Sequence, residues 1–190
     1  MAILTGVKAG LEVFSTKSCV VISIRPTEPN EWRTYRDVRL QALLDSPNAF
    51  GSTYEEEVDR TDAIWAARIA AAASSGQDCV LFARHRENVC GLVWCKLSAG
   101  EPMVANVFQM WVDPASRGKG AGRALLKAAI DWAERVGARR VCLCVTSAET
   151  PAMGLYLACG FRPAGATEPL RESSSLLVQP MSLTVGSASP

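Results

Sequence analysis

An unbroken order of strand, glycine-rich turn, helix and strand between Val104 and Val145 constrains the fold more than any other feature of the chain. The apolar run Val104 to Val112 reads as a buried strand and stops at Asp113-Pro114. Gly118, Gly120 and Gly122 punctuate the turn that follows. Leu125, Leu126, Ala129, Ile130, Ala133 and Val136 then recur at helical spacing. They make a stripe about 100° wide, which suits a helix packed on a sheet. Gly137 is placed to end that helix, and Val141 to Val145 is a second short apolar run. A strand that returns through a helix lies parallel to the first.

The rest of the chain supplies further strands and helices around this crossover. Val20 to Arg25 is a β-branched run closed by Pro26. Asn30 to Leu44 carries Trp32, Tyr35, Val38, Ala42 and Leu43 at helical spacing, and Ser46-Pro47 ends it. Gly51 to Asp59 reads as polar and extended, and Thr61 to Ala73 as an Ala-rich helix. Cys79 to Ala83 and Val89 to Leu97 form a hairpin about His85, Arg86, Glu87 and Asn88. A further helix spans Pro151 to Ala158, and Phe161 to Ala164 and Leu176 to Leu183 close the sheet. The expected fold is α/β: one twisted mixed sheet with helices on both faces. A single domain covers residues 20–184, with an extension over 1–19 and a flexible tail over 185–190.

The glycine turn has the chemistry of an anion site. Without Cβ atoms, its backbone can approach a ligand closely. The free N–H groups of the helix start and the positive end of the helix dipole favour negative charge there. Arg117, Lys119 and Arg123 add local positive charge, so a phosphate-bearing ligand is expected. Spacing excludes the two commonest nucleotide loops. A Walker A loop needs Ser or Thr after Gly-Lys, and Lys119 is followed by Gly120. A dinucleotide loop needs a third glycine where Arg123 stands, and an acidic residue about 20 residues later. That later stretch reads Arg139-Arg140-Val141.

Composition narrows the class. A chain of 190 residues with 48% hydrophobic and 21% charged residues is globular and long enough for a sizeable core. A net charge of +1 gives no general attraction to nucleic acid or to an anionic membrane, and neither is expected as a partner. No run approaches the ~18 apolar residues of a spanning helix, and residues 1–17 lack a signal-like apolar core. The seven cysteines are odd in number, without Cys-x-x-Cys pairs, and read as reduced, buried small hydrophobes. A cytoplasmic setting follows. Among the cysteines, the acidic residues and the single His85, no spacing suits a metal, and none is expected.

Three segments resemble the GNAT superfamily of bacterial N-acetyltransferases. Arg117-Gly118-Lys119-Gly120-Ala121-Gly122 matches that family's R/Q-x-x-G-x-G/A loop. Leu155-Tyr156-Leu157-Ala158-Cys159-Gly160-Phe161 resembles its LY-x-x-x-GF motif. Pro47-Asn48-Ala49-Phe50-Gly51-Ser52-Thr53-Tyr54-Glu55-Glu56 resembles a P-x-AFGS-x-x-EE stretch of a bacterial subgroup. The order of elements from residue 20 to 184 is also that of the family. The resemblance implies a splay between the fourth and fifth strands and acetyl-coenzyme A as acetyl donor. Arg117, Gly118, Lys119, Gly120, Ala121, Gly122 and Arg123 would hold its pyrophosphate. Main-chain groups near Trp111 and Val112 would pair with pantetheine, and one N–H there could polarise the thioester.

On the same resemblance, Tyr156 would protonate the departing thiolate, a task suited to a hydroxyl of pKa ~10. Family members often carry Asn six residues before this tyrosine. Here Thr150 takes the position, and Pro151 follows it. The acceptor would be a primary amine, a small molecule ahead of a peptide or protein N-terminus, and a homodimer is allowed. Transfer needs the neutral amine. Glu55 and Glu56 are the candidate bases, since successive residues of an extended segment face opposite ways. Gln109 could orient a water. A non-catalytic acyl-coenzyme A-binding module of the same fold is the alternative.

Overall fold

The structure is a computed structural model that describes residues 21–186, apart from Pro102, Ala148, Glu149 and Ser173. The whole N-terminal extension and most of the expected tail lie outside the described residues. In chain order, β1 (Ile22–Pro26) leads through a short 3-10 turn into α1 (Trp32–Asp45), α2 (Tyr54–Val58) and α3 (Asp62–Ser75). The strands β2 (Asp78–His85), β3 (Asn88–Leu97) and β4 (Val104–Val112) follow. Then come α4 (Ala121–Arg135), β5 (Arg140–Thr146), α5 (Pro151–Ala158), β6 (Arg162–Pro163), β7 (Glu168–Pro169) and β8 (Leu177–Thr184).

One sheet runs β1-β2-β3-β4-β5-β8-β6, with β7 also on β8. All neighbours are antiparallel except β4 and β5, the pair joined by the helical crossover. Each face carries its own core. Leu125, Leu126, Ala129 and Ala133 of α4 pack on Leu81, Val93, Val107 and Val141. On the opposite face, Tyr35 of α1 and Trp65 of α3 meet Phe82, Leu92, Trp94 and Trp111. Tyr35 has no exposed surface, and its ring meets Trp65 and Trp94 edge-on at 5.8 and 5.7 Å. The Ile130 and Val136 positions of the α4 stripe are only partly buried, and Trp132 fills the row instead. Gly137, at φ +87°, ends α4. The Ala138 N–H reaches the Ala133 carbonyl and the Gly137 N–H reaches that of Glu134, which is a Schellman closure.

Three local expectations are corrected. Gly51 to Asp59 is not extended throughout, because Tyr54–Val58 is helical. The Thr53 hydroxyl accepts the Glu56 N–H at 3.3 Å and the Glu56 carboxylate accepts the Thr53 N–H at 2.9 Å. This reciprocal capping box starts the helix. The hairpin turn is tighter than expected: His85 pairs with Asn88, and only Arg86 and Glu87 lie between. At the chain's end, Phe161 to Ala164 contributes just Arg162–Pro163 to the sheet, with Glu168–Pro169 as an additional short strand.

The α2 turn carries a buried ion pair. Arg39 and Glu57 are 2% and 1% exposed and pair at 3.0 Å. Burial opposes ionisation of Glu57, but the hydrogen bonds and charge of Arg39, with Arg60 beside it, outweigh burial and hold its carboxyl below the usual range. A depressed folded-state pKa stabilises above the unfolded value, ~4.3 for Glu, and that contribution fades as pH falls through the folded value. The urea midpoint is therefore expected to drop on acidification below about pH 4.3, and less steeply in Glu57→Gln. Parallel acid limbs for the two proteins would show that Glu57 is not the titrating group.

Candidate active site

Pairing between β4 and β5 ends early. Val104, Ala105 and Asn106 face Arg140, Val141 and Cys142, and no later pair follows. From Val107 to Val112 the edge of β4 turned away from β3 is thus open. A bulge sits on this stretch, for Phe108 pairs with Trp94 and Trp111 with Leu92, so that Gln109 and Met110 oppose Val93 alone. Gln109 adopts φ +54°. The Tyr35 hydroxyl holds it by donating to the Gln109 Oε1 at 2.7 Å. The bulge sends Met110 toward the α4 face and Trp111 toward the α1 face.

The glycine turn lies at the end of this open edge. Gly118 and Gly120 take φ +73° and +90°, conformations that an L side chain strains to adopt. Among the described residues, no N–H from Gly118 to Arg123 meets a backbone acceptor. A row of free amides therefore faces outward where the α4 dipole is positive. Gly122 serves packing: a Cβ there would lie 3.3 Å from Leu155 and 3.8 Å from the Met110 methyl. The three cations differ in state. Arg117 pairs with Asp45 and donates to the Val112 carbonyl at 2.9 Å. The Lys119 ammonium donates to the Ala115 carbonyl at 2.6 Å. Arg123 is exposed and makes no ion pair among the described residues. Asp45, which the sequence did not single out, also accepts the Trp111 indole N–H at 2.9 Å. It ties the end of α1 to β4 and to the turn.

Tyr156 stands beside the same opening. It is 7% exposed, and its hydroxyl is 3.6 Å from the Met110 sulfur, a weak acceptor. Burial pushes that hydroxyl up to about 12. One methionine side chain thus touches both the hydroxyl and the packing position of Gly122 at the start of α4. Thr150 caps α5, its hydroxyl accepting the Met153 N–H at 3.2 Å.

A cavity of about 690 Å³ passes through the splay, with Tyr156 and Met110 on its wall. That volume is in the range of small-molecule sites. Ala49, Phe50, Gly51 and Ser52 line it, so four residues of the AFGS stretch face it. Thr146 and Arg171 fasten that stretch by donating to the Asn48 and Pro47 carbonyls at 2.9 and 3.3 Å. Gln109 lines the cavity too. Glu55 and Glu56 do not. Both are exposed on α2, Glu56 is engaged in the cap, and the alternation argument fails because the segment is helical. The carboxylates on the cavity wall are Asp78 and Glu168. Asp78 accepts the Trp94 indole N–H at 2.8 Å and lies 3.7 Å from the Lys96 ammonium. Glu168 has no ion-pair or hydrogen-bond partner among the described residues.

The buried reading holds for fewer cysteines than expected. Of the described cysteines only Cys90 and Cys95 are fully buried, and Cys79 and Cys159 are half-buried against the core. Cys142 is half-buried and Cys144 is exposed, and both line the cavity. Among the described residues, no cluster of His, Cys, Asp or Glu could hold a metal ion, and no helix is long and apolar enough to cross a membrane.

Comparison with known proteins agrees with this geometry. The family model described as "Acetyltransferase (GNAT) family" matches residues 39–161. Mycothiol acetyltransferase from Renibacterium salmoninarum is 33% identical over 78 residues, which are 40% of this chain and 23% of that protein. The one from Arthrobacter sp. is 29% identical over 124 residues, 64% of this chain and 38% of the relative. The chain therefore spans well under half the length of these relatives. Among solved structures, a GNAT-family acetyltransferase from Streptococcus pneumoniae superposes with a TM-score of 0.71 at 22% identity, covering 87% of this chain and all of that one (100%). Spermidine N-acetyltransferase from Vibrio cholerae, solved with CoA and spermine, gives 0.70 at 18% identity and covers 86% and 95%. With the splay, the bulge and the glycine turn in place, and a family model matched from within α1 to the end of the LY-x-x-x-GF motif, the chain belongs to the acetyltransferase (GNAT) family.

Proposed function

We propose that the protein transfers an acetyl group from acetyl-coenzyme A directly to a primary amine, with both substrates bound together. The observation that carries this reading is the cavity through the splay, which brings Tyr156 and the AFGS stretch to one opening, while the glycine turn that follows β4 keeps its amides without backbone acceptors among the described residues. The pyrophosphate rests on the amides of Gly118 to Arg123, with Arg123 as the cation free to meet it. Pantetheine runs along the open edge of β4 by Trp111 and Val112. The Thr150 hydroxyl, spent as an acceptor, keeps its proton to donate to the donor molecule.

Tyr156 is the acid. Attack by the amine nitrogen on the thioester carbon forms the amide bond as the carbon–sulfur bond breaks, and the Tyr156 proton goes to the thiolate. Direct transfer is favoured over an acyl-enzyme. Burial pushes the thiols of Cys142 and Cys144 up, so neither is primed as a thiolate nucleophile.

Glu168, rather than Glu55 or Glu56, is the proposed proton acceptor, because it is the cavity carboxylate left without a partner. Glu168→Gln should lower kcat/KM at neutral pH. The deficit should shrink toward about pH 10, where more of the amine is already neutral. Superimposable pH–rate profiles for the variant and the natural protein would remove Glu168 from the mechanism. A small-molecule acceptor is favoured over a protein N-terminus because the cavity's volume of about 690 Å³ is in the range of small-molecule sites.

A further inference from the structure

Two charges of opposite sign on the cavity wall, one of them a cation, are left without ion-pair partners among the described residues. Asp78 is engaged by Lys96 and Trp94, so that pair adds little net field. Arg39 is engaged by Glu57, yet its Nη1 is buried without any hydrogen-bond partner. Arg68 is the cavity's unpaired cation, as Glu168 is its unpaired carboxylate. It projects from α3 into the cavity, its guanidinium 4.8 Å from the centre of the Trp94 ring. No carboxylate pairs with it among the described residues. A cation laid on an aromatic face keeps its N–H edge free for an in-plane acceptor, and a planar fork suits a carboxylate.

Resting on the transferase reading above, we propose that this cavity selects an acceptor that carries a carboxylate together with its amine. Arg68 binds that carboxylate and the Arg39 guanidinium reinforces the same wall. Arg68 comes from the helix over β2 and Glu168 from the short strand beyond β8. The carboxylate and the reacting amine of an amino-acid-like acceptor would meet the two from different sides. Both arginines lie close enough to Tyr35 for their charge to be felt at its hydroxyl, which places them in one neighbourhood. A polyamine is disfavoured, since an acceptor of several positive charges would meet an unpaired arginine.

Matched acceptor pairs test this: L-leucine, L-glutamate and β-alanine, each against its primary amide, with spermidine as the polycation. Binding is read by thermal shift and calorimetry with coenzyme A present, and transfer is read by mass of the product. At least one acid should bind about tenfold more tightly than its amide, the scale of a charge-assisted contact. Arg68→Gln should erase that preference by raising KM while kcat stays near its starting value, the mark of uniform binding. Lys127→Gln, an equal loss of charge on the outer surface of α4, should leave the preference intact. Equal binding of acid and amide, preference for spermidine, or a preference that survives Arg68→Gln would overturn the proposal. Acids bound through Arg68 but never acetylated would retain this inference and reject the transferase reading. Acetylation without discrimination would do the reverse.

Discussion

Gly120→Val is expected to abolish acetyl-coenzyme A binding in a protein that still folds. Gly120 caps α4 at φ +90°, and a Cβ there would meet no protein atom within 4 Å. The open space is the space faced by the free amides of the turn, so a branched side chain would stand where the pyrophosphate must lie. Backbone strain of about 1–2 kcal/mol accompanies the substitution, and a control separates the two effects. Gly76 ends α3 at φ +66° with nothing within 4 Å, far from the turn in sequence and on the opposite core. Gly76→Val should lose similar stability and keep its affinity. Calorimetric titration of both variants decides the matter. Full affinity in a folded Gly120→Val protein would move the pyrophosphate away from this turn.

Tyr156→Phe should cut kcat by about a hundredfold or more while donor affinity changes little, as expected when a positioned acid is lost. The ring keeps its contact with Phe161, whose centroid is 6.0 Å away, so only the hydroxyl is removed. The pH dependence sharpens the expectation. Burial raises the hydroxyl to about 12, which favours the neutral, proton-donating form. It stays protonated through the working range, and the natural protein should show no loss of rate from this group below about pH 11. A basic limb near pH 10 that vanishes in Tyr156→Phe would contradict the buried-acid assignment. An unchanged kcat, with chemistry shown to limit the rate, would leave Tyr156 a packing residue.

The crossover from Val104 to Val145 was legible because an apolar run, a glycine turn and a 3.6-residue stripe each follow from local chemistry. The parallel pairing of β4 and β5 is its consequence. The glycine turn was equally visible, but the division of labour among its cations was not. Asp45 is 72 residues from Arg117, and nothing local marks that pair. The α2 turn could have been found, since Thr53 followed by Glu56 spells a capping box, and with it the alternation argument for Glu55 and Glu56 would have fallen. Glu168 offered no such signal. It sits in a two-residue strand whose existence depends on pairing with Val178. Cys142 and Cys144 were misread as buried because a short apolar strand beside a splay has one face on the core and one on the cavity. Arg68 carries no local signal within its Ala-rich helix, because the ring beneath it, Trp94, lies 26 positions later.

Transfer coupled to the amine is read from donor and acceptor together. Acetyl-coenzyme A is mixed with the acceptor panel, and released thiol is followed alongside the mass of the amine. Thiol release should depend on the amine and run in step with an N-acetylated product, with no acetylated protein intermediate. Tight binding of acetyl-coenzyme A with no amine-dependent thiol release across the panel would contradict coupled transfer, and would mark the chain as an acyl-coenzyme A-binding module of the same fold.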